Sequence, residues 1–130
     1  MLQVLKNDRG QAIVEFTLII PLILILMFAM LETGRFVHAA YEVEHASRES
    51  ARIGALGGTD SEIITGVNTN ASSLDVQRIT VTISPTENFR NSGDQITVTV
   101  NYQFTPITPF VGAIYTNGMT ISSDMSMRVE

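Results

Sequence analysis

The apolar positions of this chain change their spacing twice, and each change marks a different kind of structure. From Ala12 to Leu31 they are nearly continuous: twenty residues carry one charge, Glu15, and two other interruptions, Thr17 and Pro21. As a helix, such a run is about 30 Å long, enough to cross the hydrocarbon core of a bilayer. From Phe36 onward the apolar residues thin to Phe36, Ala39, Ala40, Val43, Ala46, Ile53 and Leu56, a stripe at near-helical spacing. Glu44 with Arg48 and Glu49 with Arg52 supply i,i+4 and i,i+3 charge pairs for the wet side. One helix from about Gln11 to Leu56, roughly 70 Å long, is expected to stop at Gly57-Gly58, because glycine accepts the left-handed cap conformation. Pro21 removes one backbone donor and frees the carbonyl of Thr17, so a kink is expected there.

After the glycines the period becomes two. Thr59-Asp60-Ser61-Glu62 reads as a capping box opening a short helix through about Val67, and the polar stretch Asn68 to Ser73 reads as a loop. Three strands follow, over Val76 to Ile83, Gln95 to Phe104 and Gly118 to Val129. Ile79, Val81 and Ile83 alternate with threonines in the first, and Ile96, Val98, Val100, Tyr102 and Phe104 alternate with polar residues in the second. Met119, Ile121, Met125, Met127 and Val129 share one face of the third, so one face is buried and one is wet. Asn91-Ser92-Gly93-Asp94 suits a hairpin turn between the first two strands. Pro106 and Pro109 end the second strand and lead into a long loop. A three-stranded sheet with one apolar face needs a cover, and the distal half of the long helix is the available one. The predicted fold class is α+β: a long N-terminal transmembrane helix packed at its distal half on a small antiparallel three-stranded sheet, with a lollipop outline. Residues 11–57 form the helix, with the membrane segment at about 12–31, and residues 58–130 form an exported head.

Composition narrows the chemistry. The chain of 130 residues has no cysteine, which removes disulfides, thiolate metal sites and cysteine nucleophiles. Its net charge is −5, and its only lysine is Lys6; without residues 1–10 the side chains carry −6. An acidic, lysine-free body is a poor ligand for nucleic acid, which needs clustered cations. Glu42-Val43-Glu44-His45 has the Glu-x-x-His spacing of di-iron bundles, with His38 one turn before Glu42. Those sites draw on several carboxylate-bearing helices and this chain has one long helix, so these residues read as solvated and no metal or cofactor is expected. Gly54 to Gly58 lacks the preceding strand and following Lys-Ser/Thr of a phosphate loop and reads as helix termination. Met119, Met125 and Met127 read as core filling. Both histidines lie on the long helix and no serine has a triad arrangement nearby, so no enzymatic activity is expected.

Glu15 is the most informative residue. A carboxylate within a membrane-length apolar run costs about 2.5–3.5 kcal/mol at mid-bilayer and less near the interface. A neutral residue would anchor better, so the position asks for a counter-charge. Gly10 lies five positions earlier. A cut after Gly10 would create an α-amino group on Gln11 and make Glu15 the fifth residue. Groups four apart share one helix face, and the amine of a neighbouring subunit could also reach Glu15 in a bundle.

The run Arg9-Gly10-Gln11-Ala12-Ile13-Val14-Glu15-Phe16, followed by an apolar stretch containing Pro21, resembles the processing site of type IV pilins, and its Glu15-Phe16 pair resembles that of the Flp/tight-adherence branch. Leu31-Glu32-Thr33-Gly34-Arg35-Phe36 and Ala46-Ser47-Arg48-Glu49-Ser50-Ala51-Arg52 are similar to TadE-like pilus assembly proteins, which are minor pilins or pseudopilins. The resemblance covers about residues 9–56 closely and the β region loosely, through Met127-Arg128-Val129-Glu130; Ser50 stands where that family often has glycine. It implies that residues 1–10 are a prepilin leader, and that a prepilin peptidase, an intramembrane aspartyl protease, cuts between Gly10 and Gln11. It further implies that Glu15 and Phe16 serve assembly, with stem helices bundling against other pilin subunits. The remaining implied partners are the inner-membrane pilus assembly machinery and membrane lipid. The head would then be extracytoplasmic on a single-pass bacterial inner-membrane anchor, able to enter an extracellular pilus. A head of roughly seventy residues argues against the major Flp subunit, which is little more than the helix in that family.

Three other readings compete. A Sec-type signal peptide would have an overlong core, a misplaced Glu15 and no clean small-x-small cleavage site. An uncut signal anchor explains the length but not Gly10 with Glu15. A membrane-tethered binding module or adhesin, not incorporated into a filament, would use the loop Pro106 to Gly118, with Phe110, Ile114 and Tyr115, as its contact surface.

Overall fold

The computed structural model describes residues 8–130, so most of the expected leader, including Lys6, lies outside the described residues. Its longest element, α1, spans Asp8–Ala55. The helix runs through Pro21 without a break. It stops where the glycines predict. The Gly57 amide donates to Gly54 O and the Gly58 amide to Ile53 O, the paired bonds of a Schellman cap, with Gly57 in the left-handed region at φ 85°. The predicted capping box then opens α2, Asp60–Asn70, with Thr59 Oγ1 accepting from the Glu62 amide and the Glu62 carboxylate accepting from the Thr59 amide.

The rest of the head is a meander of β1 (Ile79–Ser84), β2 (Gln95–Phe104) and β3 (Met119–Arg128), antiparallel in the order β1-β2-β3. The register sets Val81 opposite Val100 and Ile96 opposite Met127. Ile96, Val98, Val100, Tyr102 and Phe104 are buried, while the Thr, Asn and Gln residues between them point away from the core. The α+β architecture, with an apolar N-terminal helix and a three-stranded antiparallel sheet, is the one expected.

Several boundaries differ from the sequence reading for local reasons. α2 continues through Asn70, taking in residues assigned to a loop, because Val67 and Ala71 are both buried and Asn70 Nδ2 donates back to Gly66 O. The first strand begins at Ile79; Val76–Arg78 form a 3₁₀ turn capped by Asp75, whose carboxylate accepts from the Gln77 amide. The β1–β2 connection is not a tight hairpin. It spans residues 85–94 and holds a 3₁₀ turn at Glu87–Phe89, with the Asn91–Asp94 turn only at its end. Arg90 explains the detour. Its nearly buried side chain donates to Gly58 O and to the Asp60 carboxylate, clamping the connection onto the start of α2. The long loop after β2 is not structureless either: α3 spans Pro109–Ile114, with proline at the first turn, where its missing donor costs nothing.

The distal half of α1 covers the sheet through Ala39, Val43, Ala46, Ser47 and Ser50, and α2 adds Ile63 and Val67 to the same core. Small residues on α1 let the two layers approach. Ser47 Oγ lies 2.8 Å from Ser123 Oγ of β3. Leu56, placed on the apolar stripe by its spacing, is 63% exposed instead, because the chain has already turned into the cap. At Gly54 the approach is closest. A Cβ there would stand 2.3 Å from Ile96 Cδ1 and 2.9 Å from Ile63 Cδ1. Both isoleucines are fully buried, so their methyl ends can give way only by repacking the core. Gly→Ala inside a helix normally stabilises by roughly 0.5–1 kcal/mol. Here Gly54→Ala is expected to destabilise the head by about 1–3 kcal/mol through overpacking, read as a lower thermal midpoint in circular dichroism.

Candidate assembly site and the neck of the stem

From Gln11 to Leu31 every residue of α1 is exposed. This is the one helix among the described residues long and apolar enough to cross a membrane. Gly10, Gln11, Glu15 and Phe16 all lie on its first turns, so the Gly10–Gln11 bond is part of the helix. Glu15 does not reach into the head. Its Oε1 accepts from Gln11 Nε2 at 3.0 Å, one turn back toward the N-terminus, the direction in which helical side chains lean. Phe16 is exposed beside it. At Pro21 the preceding turn carries a side-chain bond, from Thr17 Oγ1 to Ile13 O at 2.7 Å. The same type of bond recurs from Thr33 to Ala29 O at 2.8 Å, so hydroxyls inside the apolar run satisfy themselves on their own helix.

Burial begins abruptly at Glu32, which is 5% exposed. Its Oε2 accepts from the amides of Ile107 and Thr108, both at 3.3 Å, and its Oε1 accepts from Arg35 Nη1 at 2.7 Å. One turn on, Phe36 meets Phe104 edge-to-face at 5.4 Å between ring centroids, and the Arg35 guanidinium lies 5.2 Å from the Phe104 ring centroid. These contacts tie the end of β2 and the following loop to the point where the apolar run ends. Nothing in the periodicity marks Glu32 as an acceptor. The available signal is an acid set directly after the apolar run, with arginine three residues later.

The polar residues farther along α1 do not converge on a centre. His38 Nε2 lies 3.5 Å from Glu42 Oε1 and 3.0 Å from Ser73 Oγ, while His45 stacks on Tyr41. Among the described residues no three His, Cys, Asp or Glu side chains gather as metal ligands. The charge pairs Arg48–Glu44, at 2.7 Å, and Arg52–Glu49, at 3.3 Å, form on the wet side as their spacing predicts, where exposed pairs contribute little.

The loop residues Ile107, Phe110, Ile114 and Tyr115 are exposed. They lie at the stem end of the head, not at its tip: Val111 of α3 lines one cleft together with Ala29, Glu32, Thr33, Phe36, Phe104 and Met119.

The family model described as TadE-like protein matches residues 10–52, the exposed apolar helix together with most of the part that covers the sheet. No curated protein and no solved structure matches the chain.

Proposed function

We propose that this chain, whose helix carries the TadE-like match, is a minor pilin or pseudopilin that takes part in building a tight-adherence type IV pilus. The observation that carries the reading is the exposure of every residue from Gln11 to Leu31 on a helix that continues, unbroken, into the core of a folded head. An apolar surface of that length needs lipid first and other helices afterwards. A soluble protein would have buried it.

The mechanism follows from where Glu15 points. Before cleavage its carboxylate is held by the Gln11 side chain. Cleavage after Gly10 by a prepilin peptidase would place a positive α-amino group on Gln11 itself, at the positive end of the new helix N-terminus. The carboxylate then has a partner on its own chain or on the next subunit. Stem helices gather laterally, Glu15 becomes compensated inside the bundle, Phe16 adds ring surface beside it, and the heads form the outer layer. The bond to be cut lies in the first turns of α1, so the helix must open locally at the glycine, the residue least favourable to helix. Pro21 would allow the stem to bend where a bundle needs it. The role is structural, within the inner membrane and the filament that grows from it, with other pilin subunits and the assembly machinery as partners.

The exposed cluster Ile107, Phe110 and Ile114 is what a tethered binding module would use. With the stem as a membrane anchor, its place at the stem end of the head would set it beside the membrane, away from the surface an external target would reach. Mass spectrometry of protein extracted from native membranes decides between the two. The pilin reading expects a chain that begins at Gln11. An intact Met1, in cells where the peptidase cuts its other substrates, would overturn it.

A further inference from the structure

We infer that the segment Thr105 to Gly118, with α3 at its centre, is a foot on which the head rests in the headgroup layer of the membrane that the stem crosses. This rests on the stem being a membrane anchor. Its height relative to the stem is the first argument. Val111 shares a cleft with Ala29 and Thr33, and Ala29 lies inside the apolar run, about 3 Å before Leu31 along the helix axis. A bilayer that covers Leu31 therefore meets α3. The second argument is what α3 and its flanks present: Ile107 is 70% exposed, Ile114 75% and Phe110 54%, with Tyr115 beside them. Apolar residues joined by a tyrosine form the mixture that collects at membrane interfaces.

Charge gives a third argument. No Asp, Glu, Lys or Arg occurs from Thr105 to Gly118, although the rest of the chain is acidic. An acidic surface would hold the head away from anionic lipid, and this uncharged segment adds no such repulsion at the stem end. The backbone is prepared as well. The amides of Ile107 and Thr108 go to Glu32, those of Gly112 and Tyr115 to Thr108 O and Val111 O, and that of Gly118 to Tyr115 O. Gln103 Nε2 occupies Asn117 O. Amides already bonded within the protein lose little when the segment settles against lipid at the edge of the hydrocarbon. Lipid is the fitting occupant because Ala29 and Thr33, which line the cleft with Val111, also line the neighbouring groove on the stem with Leu26 and Met30, so the patch adjoins the stem's own apolar surface.

The chain contains no tryptophan, so one introduced residue reports alone. Phe110→Trp and, independently, Ile114→Trp would be placed in the full chain, one copy per phosphatidylcholine nanodisc, with bromine at shallow or deep acyl positions. Leu24→Trp in the stem and Phe89→Trp in the β1–β2 connection are the comparators. The expected result is blue-shifted emission from Trp at 110 and 114, quenched severalfold more by shallow bromines than that of Phe89→Trp, which answers to aqueous iodide. If both foot reporters behave like Phe89→Trp while Leu24→Trp is quenched by deep bromines, the anchor stands and the foot is refuted. If Leu24→Trp also escapes the bromines, both fall. A blue shift that needs two copies per disc and ignores bromine would assign the patch to a second chain and overturn the lipid assignment.

Discussion

Glu32→Leu is expected to detach the stem end of the head from the helix and to destabilise the head by roughly 2–4 kcal/mol. The magnitude comes from the two loop amides, Ile107 and Thr108, that end on Glu32 Oε2. A buried donor left without its acceptor costs about 1–3 kcal/mol. The Arg35 contact adds little, because its side chain is 42% exposed and can turn to water. Leucine matches the carboxylate in size but accepts nothing. Glu32→Gln keeps one acceptor oxygen and should lose about 1 kcal/mol. The measurement is protease cutting within residues 105–118 of the full chain in nanodiscs, followed beside thermal unfolding. Cutting should rise in the order wild type, Glu32→Gln, Glu32→Leu. A Glu32→Leu protein as resistant as wild type would mean that the loop holds to α1 through Phe36 and Phe104 alone.

That residue also shows where the sequence stops being informative. Period and punctuation are local properties, and they placed the long helix, its glycine stop, the capping box and the whole of β2. Ile96 to Phe104 alternate because a sheet has two faces, and both faces are visible in the order of residues. The route between β1 and β2 was not legible, since it depends on Arg90 meeting Asp60 and Gly58, some thirty residues earlier in the chain. Glu32 was unread for the same reason: its acceptor role exists only once Ile107 and Thr108 have been folded against it. Leu56 erred in the other direction, because helical spacing continued through a residue where the helix no longer did. Of the candidate assembly residues, the chain order places Gln11 and Glu15 one turn apart and the structure brings their side chains together. The chemistry that would make this pair functional belongs to a cut chain and to its neighbours.

Glu15→Leu is therefore expected to separate two properties that usually travel together, leaving membrane insertion intact or improved while pilus assembly collapses. Insertion improves because the variant removes the one charge from the apolar run. Assembly fails because the α-amino group that the proposed cleavage would place on Gln11 would enter the bundle with no carboxylate to meet it. An ion left unpaired in a low-dielectric bundle costs more than the pair contributed, and every 1.4 kcal/mol or so lost per contact lowers association about tenfold. Because each subunit repeats the contact, the loss compounds along a filament. Glu15→Gln is the discriminating variant. It retains length, shape and the ability to hydrogen-bond the Gln11 side chain, and it lacks only the charge. Both variants should insert at least as well as wild type and assemble equally poorly, scored as sheared surface pili against the membrane-extracted pool. Should Glu15→Gln build pili at the wild-type level, the residue would be acting as a hydrogen-bond acceptor or a spacer. The charge that the proposed cleavage would create at Gln11 would then have to find its partner elsewhere.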